Sequence, residues 1–355
     1  MQDDLTRIEK DLTTQNFYHR GTLCRTLAGN RCEFITITSK DKDPKSAKAL
    51  AKKGVFLSAR VHPGESNASW MMKGVIEFLT STSAEAKALR ENFVFKIVPI
   101  INPDGVINGN YRCSLSGQDL NRRWKNPSKI LHPVIFNIKK AMRSFAKERE
   151  VCLYCDLHGH SRRKNIFMYG NNIKEKPHAT RVFPYIMSKL CDFFSFEQSR
   201  FSMSKFKDST ARIAMFRELN IVNIFTMEAS FCGADRGKFK DQHFTTDYLM
   251  LAGRRLLESL IVYCKIDVHQ SIKQIKSKQD KKEDQKEPSE EDINLTKFSA
   301  KDLEDELTKN KKLISMTTGN EDGESSGSDS EPSADNLDEE EMASVVPIKP
   351  KIQPP

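Results

Sequence analysis

A chain of 355 residues can bury a large core, as one large domain or two ordinary ones. Its net charge of +9 is uneven: from 268 to 355 there are 13 Lys against 21 Asp and Glu, net −8, so the first 267 residues carry +17. A body so basic favours acidic partners: nucleic acid, an anionic membrane or an acidic polypeptide. The opening "MQDDLTRIEK" has no apolar core of the kind a secretory signal needs, and no run approaches the roughly 20 apolar residues of a membrane span. The expectation is a soluble, cytoplasmic monomer without a membrane partner. Eight cysteines, at 24, 32, 113, 152, 155, 191, 232 and 264, are scattered as reduced thiols would be.

In chain order, a short polar helix candidate leads into "GTLCRTLAGNRCEFITITS", two β-rich runs around the turn signal Gly29-Asn30, which predicts a hairpin. Four apolar strand candidates follow: "VFLSARV" (55–61), "FVFKIVPII" (93–101), "VCLYCDLH" (151–158) and "NIVNIFTME" (220–228). Helical patterns separate them. One runs over 66–81, started by Ser66 or Asn67, with Met71, Val75, Phe78 and Leu79 on one face. Others run over 129–148, with Val134, Ile138, Met142 and Phe145, and over 246–264, with Leu249, Leu256, Leu260 and Tyr263. Alternation of this kind predicts an α/β fold with a mixed, mostly parallel central sheet flanked by helices. Cys152 and Cys155 sit on opposite faces of their strand, with no second C-x-x-C, and read as core residues. Beyond Asp267 the composition turns charged and serine-rich, so 1–267 is the expected catalytic domain. Residues 268–355 are the expected disordered tail, with at most a transient helix around "AKDLEDELTKNKKL".

Chemistry gathers where the four strands end, the rim at which α/β sheets collect ligands. The first strand leads to His62 and Glu65, set around Pro63-Gly64, a pair that rules out an ordinary helical His-x-x-Glu. The second leads to "NPDGVINGNYRCSLSGQDLNRRW", the third to "DLHGHSRRKN", and the fourth ends in Glu228 itself. Two histidines and a carboxylate with an open fourth position form a catalytic zinc set, and Glu228 is a candidate general base toward the metal's water. A lone strand-end histidine is commonly just a hydrogen-bonding residue; four strand ends converging on one rim weaken that reading.

"HPGES", the Asn-Arg of "QDLNRRW", "DLHGHS" and "TMEASF", in this order, resemble the zinc carboxypeptidase family. The wording of "ARVHPGES", "NPDGV", "DLHGHSRRKNIFMYG" and "FTMEASFCG" is similar to its cytosolic branch, the deglutamylases acting on tubulin, over roughly residues 15 to 265. The resemblance implies one Zn2+ per chain held by His62, Glu65 and His158, with Glu228 activating the water. It further implies Arg112 on the oxyanion, and Asn121 with Arg122 on the free C-terminal carboxylate of the substrate. The physics asks for the same groups: a fixed cation at the developing oxyanion is worth roughly 3 kcal/mol, and a guanidinium matches a carboxylate bidentately.

Within "SRFSMSKFKDSTARIAMFRE" (199–218), the analogy assigns glutamate selection to Arg212, with Lys207 second; a solvent-facing basic helix is the bland alternative. The implied function is zinc-dependent removal of C-terminal or branch-chain glutamates from acidic tails such as those of tubulin and polyglutamylated proteins, with association to microtubules or cilia. An aspartoacylase-like zinc deacylase shares the ligand pattern, and a non-catalytic tubulin-tail-binding protein is the reading from a different class. Nucleic acid is excluded as a partner for want of zinc-finger spacing, an RNA-binding aromatic signature or a continuous basic stripe. Two departures stand out. Secreted relatives place a tyrosine in the loop before the catalytic glutamate, whereas no Tyr lies between Tyr185 and Glu228, where Phe206 is available. Cytosolic members carry a β-sandwich domain ahead of the catalytic one, and few residues precede the first hairpin here.

Overall fold

The computed structural model describes residues 1–41, 43, 45–268 and 293–318. Seven strands form one sheet in the order β1-β2-β4-β3-β5-β7-β6. β1 (Tyr18–Arg25) and β2 (Arg31–Ile37) make the expected antiparallel hairpin, and β2 pairs antiparallel with β4 (Phe93–Val98). The central strands β4, β3 (Lys53–Ala59), β5 (Val151–His160) and β7 (Ile224–Ser230) are mutually parallel. β6 (Ile166–Tyr169) closes the far edge antiparallel to β7, and was not separated in the sequence from the polar loop before it. Its four residues are too few to show a period.

Side chains alternate across the central strands as period two demands. Val55, Leu57, Leu153, Cys155 and Leu157 join one apolar core; Phe56 and Tyr154 join the other. The short helix α1 (Gln2–Lys10) precedes the first strand, and α2 (Ala47–Ala51), α4 (Ala84–Asn92) and α5 (Pro103–Asn108) lie in the connections between strands. On the first face lie α3 (Ser66–Thr80), α7 (Val182–Leu190) and α9 (Thr246–Tyr263). On the second lie α6 (Pro133–Glu148) and α8 (Ala211–Leu219). α3 and α9 cross so closely that a Cβ on Gly74 would come within 2.0 Å of the Met250 carbonyl, and one on Gly253 within 2.0 Å of the Met71 carbonyl. Glycine at both positions lets the two backbones touch. Cys152 and Cys155 are buried, as expected of core cysteines.

Beyond the boundary expected at Asp267, the described residues 293–318 belong to the same compact unit as the body, and the helices Ala300–Lys309 and Lys311–Met316 lie within it. Ala300, Leu303 and Leu307 enter the first apolar core, while Glu306 accepts from the Tyr185 hydroxyl at 2.6 Å and pairs with Lys189 at 3.1 Å. The helix capped by Ser299 reads as polar because only one narrow stripe of it is apolar, and its partner face on α7 is invisible in local sequence. The rest of the expected tail, 269–292 and 319–355, lies outside the described residues.

Candidate metal centre and substrate site

The ends of β3, β5 and β7 meet at one rim. Pro63 and Gly64 keep the chain from continuing as helix after β3, so α3 starts only at Ser66, with Glu65 in the capping position. The Glu65 carboxylate does not cap. It turns instead to the rim, where Oε1 lies 2.6 Å from His62 Nδ1, and Oε2 lies 3.1 Å from His158 Nδ1 and accepts from the Gly159 amide at 2.9 Å. His62, Glu65 and His158 offer three ligand atoms within 4.8 Å of one another.

The outer nitrogens show which ring atoms face inward. Asp119 Oδ1 lies 3.0 Å from His62 Nε2, and Asp156 Oδ2 lies 2.9 Å from His158 Nε2. Each carboxylate holds the ring proton on Nε2 and leaves the Nδ1 lone pair for a metal, the usual support of a metal-ligating imidazole. Two histidines and one carboxylate, with tautomers fixed this way, fit Zn2+. Electrostatics agree. Burial opposes charging His62, yet the Glu65 and Asp119 carboxylates outweigh it and raise its pKa; for His158 Asp156 and Glu65 do the same. Burial works against the Glu65 and Asp119 carboxylates, but the facing histidines hold both far below the usual range. The pocket is built to receive positive charge.

Glu228 pairs with His158 across β5 and β7 and is 8 % exposed. Burial pushes its carboxyl up to about 7, with Glu65 adding to the rise and the histidines opposing it. A carboxyl in that range can both take and return a proton near neutral pH.

Arg112 makes two contacts to Asp119 Oδ2, from Nε at 2.9 Å and from Nη2 at 2.7 Å, so the same carboxylate carries His62 on one oxygen and Arg112 on the other. Arg122 Nη1 is 3.8 Å from Asp119 Oδ2, and its guanidinium lies 5.8 Å from the exposed Phe206 ring. Asn121 is buried; its Oδ1 accepts from the Ala211 amide at the start of α8 at 3.0 Å, which leaves the side-chain NH2 as its remaining donor group. Arg212, the next residue along, is 4 % exposed, and its Nη1 donates to Gly170 O, to Asn171 Oδ1 at 3.2 Å and to Ser202 O at 3.0 Å. It is a buried cation, not part of a solvent-facing basic face. Lys207 is half-buried in a short 3-10 turn, 6.0 Å from the Phe206 ring.

Asp119 and Asp156 were not singled out in the sequence. Asp156 was legible: two residues before His158 on a strand, it shares that histidine's face. Asp119 was not, because its partner His62 lies 57 residues earlier.

Fold and site together define a candidate metal centre on the carboxyl rim of an α/β sheet. Residues 9–201 match the zinc carboxypeptidase family, peptidase M14, and with the relatives below this places the chain in that family. Cytosolic carboxypeptidase 2 of Mus musculus is 49% identical over 249 residues, covering 69% of this chain and 28% of the relative. Cytosolic carboxypeptidase 3 of Bos taurus is 44% identical over 272 residues, covering 75% and 27%. The chain thus spans little more than a quarter of the length of these relatives. A metallo-carboxypeptidase from Burkholderia cenocepacia shares the fold, with TM-score 0.63 at 21% identity over 74% of this chain and 67% of that one. No helix among the described residues is long and apolar enough to cross a membrane.

Proposed function

We propose that the protein is a zinc metallocarboxypeptidase that removes C-terminal or branch-chain glutamates from acidic protein tails, with tubulin and other polyglutamylated proteins as targets, acting as a monomer in the cytoplasm at microtubules or cilia. The observation that carries this reading is the joining of three functions in one connected frame. Asp119 links the ligand His62 to Arg112, and Asn121 links that loop through the Ala211 amide to the buried Arg212.

His62, Glu65 and His158 would hold a zinc ion, which would supply Lewis acidity and a water reactive near neutral pH. Glu228 accepts the proton of the attacking water and passes it to the leaving amine. Arg112 stabilises negative charge on the scissile carbonyl oxygen. Asn121 and Arg122 take the terminal carboxylate, which confines cleavage to chain ends. Arg212, with Lys207 nearer solvent, pairs with the glutamate side chain, since a guanidinium matches a carboxylate in charge and geometry. The +17 of the first 267 residues supports an acidic substrate.

The test is mass spectrometry of two peptides incubated with the protein, one ending in a run of glutamates and one in Phe, each with and without a zinc chelator. Stepwise loss of Glu from the first alone, stopped by chelator, is the expected outcome. Loss of Phe at an equal rate would remove the acidic specificity, and turnover of N-acetylaspartate with neither peptide cleaved would favour a deacylase.

A further inference from the structure

The buried Arg181 meets the two threonines that follow the helix Lys311–Met316, beside Phe201. Arg181 is 0 % exposed and stands at the start of α7. Its Nε donates to Thr317 Oγ1 at 2.9 Å and its Nη2 to Thr318 Oγ1 at 3.1 Å. Its Nη1 donates to Asn172 Oδ1 at 3.0 Å, and the guanidinium lies over the Phe201 ring at 4.4 Å. The Phe201 amide in turn donates to the Thr317 carbonyl at 3.0 Å.

Phe201 touches Arg212's own partners. A Cβ on Gly170 would come within 2.5 Å of the Phe201 ring, so ring and backbone are in close contact there. Gly170 O and Ser202 O, on either side of that contact, both accept from Arg212 Nη1, as does Asn171 Oδ1. The segment is laced to β6 from the other side, where Gly170 N donates to Arg200 O at 2.8 Å and Arg200 N to Met168 O at 3.0 Å. Among the described residues, the acceptor of the Phe201 N–H is the Thr317 carbonyl.

We propose that Thr317 and Arg181 are positioning residues for Arg212: the C-terminal segment 311–318 clamps Phe201 and Ser202 against Gly170, and thereby fixes the carbonyls that orient the Arg212 guanidinium. The proposal rests on the reading of Arg212 as the side-chain selector. A guanidinium's hydrogen bonds are directional, so freeing two of its three Nη1 acceptors lets the charge drift from the substrate's carboxylate. Substrate binding then suffers, whereas the metal ligands and Glu228, which these residues do not touch, keep the chemical step.

The experiment compares full-length Thr317→Val, Thr317→Ser, Arg181→Gln and Arg212→Gln proteins on two peptides that differ only in a C-terminal Glu or Gln, with thermal unfolding recorded alongside. For Thr317→Val and Arg181→Gln, KM for the Glu peptide is expected to rise about tenfold with kcat little changed, and the Glu-over-Gln preference to fall by a similar factor. Thr317→Ser, which keeps the hydroxyl, stays near the parent. Arg212→Gln sets the limit of lost preference. Folded Thr317→Val and Arg181→Gln proteins that keep full preference while Arg212→Gln loses it would overturn the proposal and leave the pocket reading standing. Unchanged preference in Arg212→Gln would instead overturn the pocket reading, and the positioning role with it.

Discussion

At the scale of single residues the site is a set of carboxylates with divided duties. Glu65 faces inward with both oxygens, Asp119 divides itself between His62 and Arg112, and Asp156 serves His158 alone on one oxygen while its other accepts from Ser58 Oγ at 2.7 Å. Tyr154 OH stands 3.2 Å behind that serine, in a fully buried chain. Replacing Asp156 by Asn can place an NH2 against His158 Nε2 and move the ring proton to Nδ1, where it blocks coordination. Zinc affinity is expected to fall by about 10- to 100-fold; competition against a chromophoric chelator reads it, and unchanged affinity would discard the tautomer argument. Glu228→Gln should behave oppositely. It keeps shape and lies outside the ligand set, so zinc content stays at one per chain while kcat falls by about three orders of magnitude. Activity near the parent level would show that Glu228 is not the base.

The elements that carry these residues are held by polar pins as much as by apolar faces. His132 stands at the entry to α6: its Nδ1 accepts from the Ser128 amide at 3.0 Å, and its Nε2 faces Gln118 Oε1, which also accepts from Arg123 Nε at 2.8 Å. A proton on Nδ1 would break the first bond. Burial, with Arg123 adding, lowers the ring's pKa to about 4 from 6.5. The folded state thus binds this proton less readily than the unfolded chain does, so the contribution is complete above about pH 6.5 and is lost as pH falls toward 4. Urea midpoints between pH 7 and pH 4 should decline more steeply for the parent than for His132→Gln; equal slopes would remove His132 as the cause. Hairpin, parallel strands and long amphipathic helices were legible in advance because their apolar periods are long. The short strand β6 was not, and the helix expected as transient around 300–313 was not foreseen as packed, because each owes its place to partners distant in sequence.

Across the whole molecule, charge and specificity act at different ranges. In the proposed mechanism Arg212 and Arg122 work in contact, but a +17 body also attracts an acidic chain before contact, and that attraction is screened over about 8 Å at physiological salt. KM for a glutamate-rich peptide is expected to rise roughly threefold between 50 and 300 mM NaCl, with kcat steady and a short substrate bearing a single glutamate much less affected. A KM for the long peptide indifferent to salt would confine recognition to the pocket. The sequence by itself determined the donor types, their order along the chain and their positions just after apolar runs, because strand periodicity and the Pro-Gly break are local properties. Only the tertiary structure decided that Asp119 reaches back to His62, that Arg212 is buried beside Asn121, and that residues 300–318 pack on α7. Each of those is a meeting of segments far apart in the chain, settled by which surfaces fit and which charges find a partner once the sheet has formed.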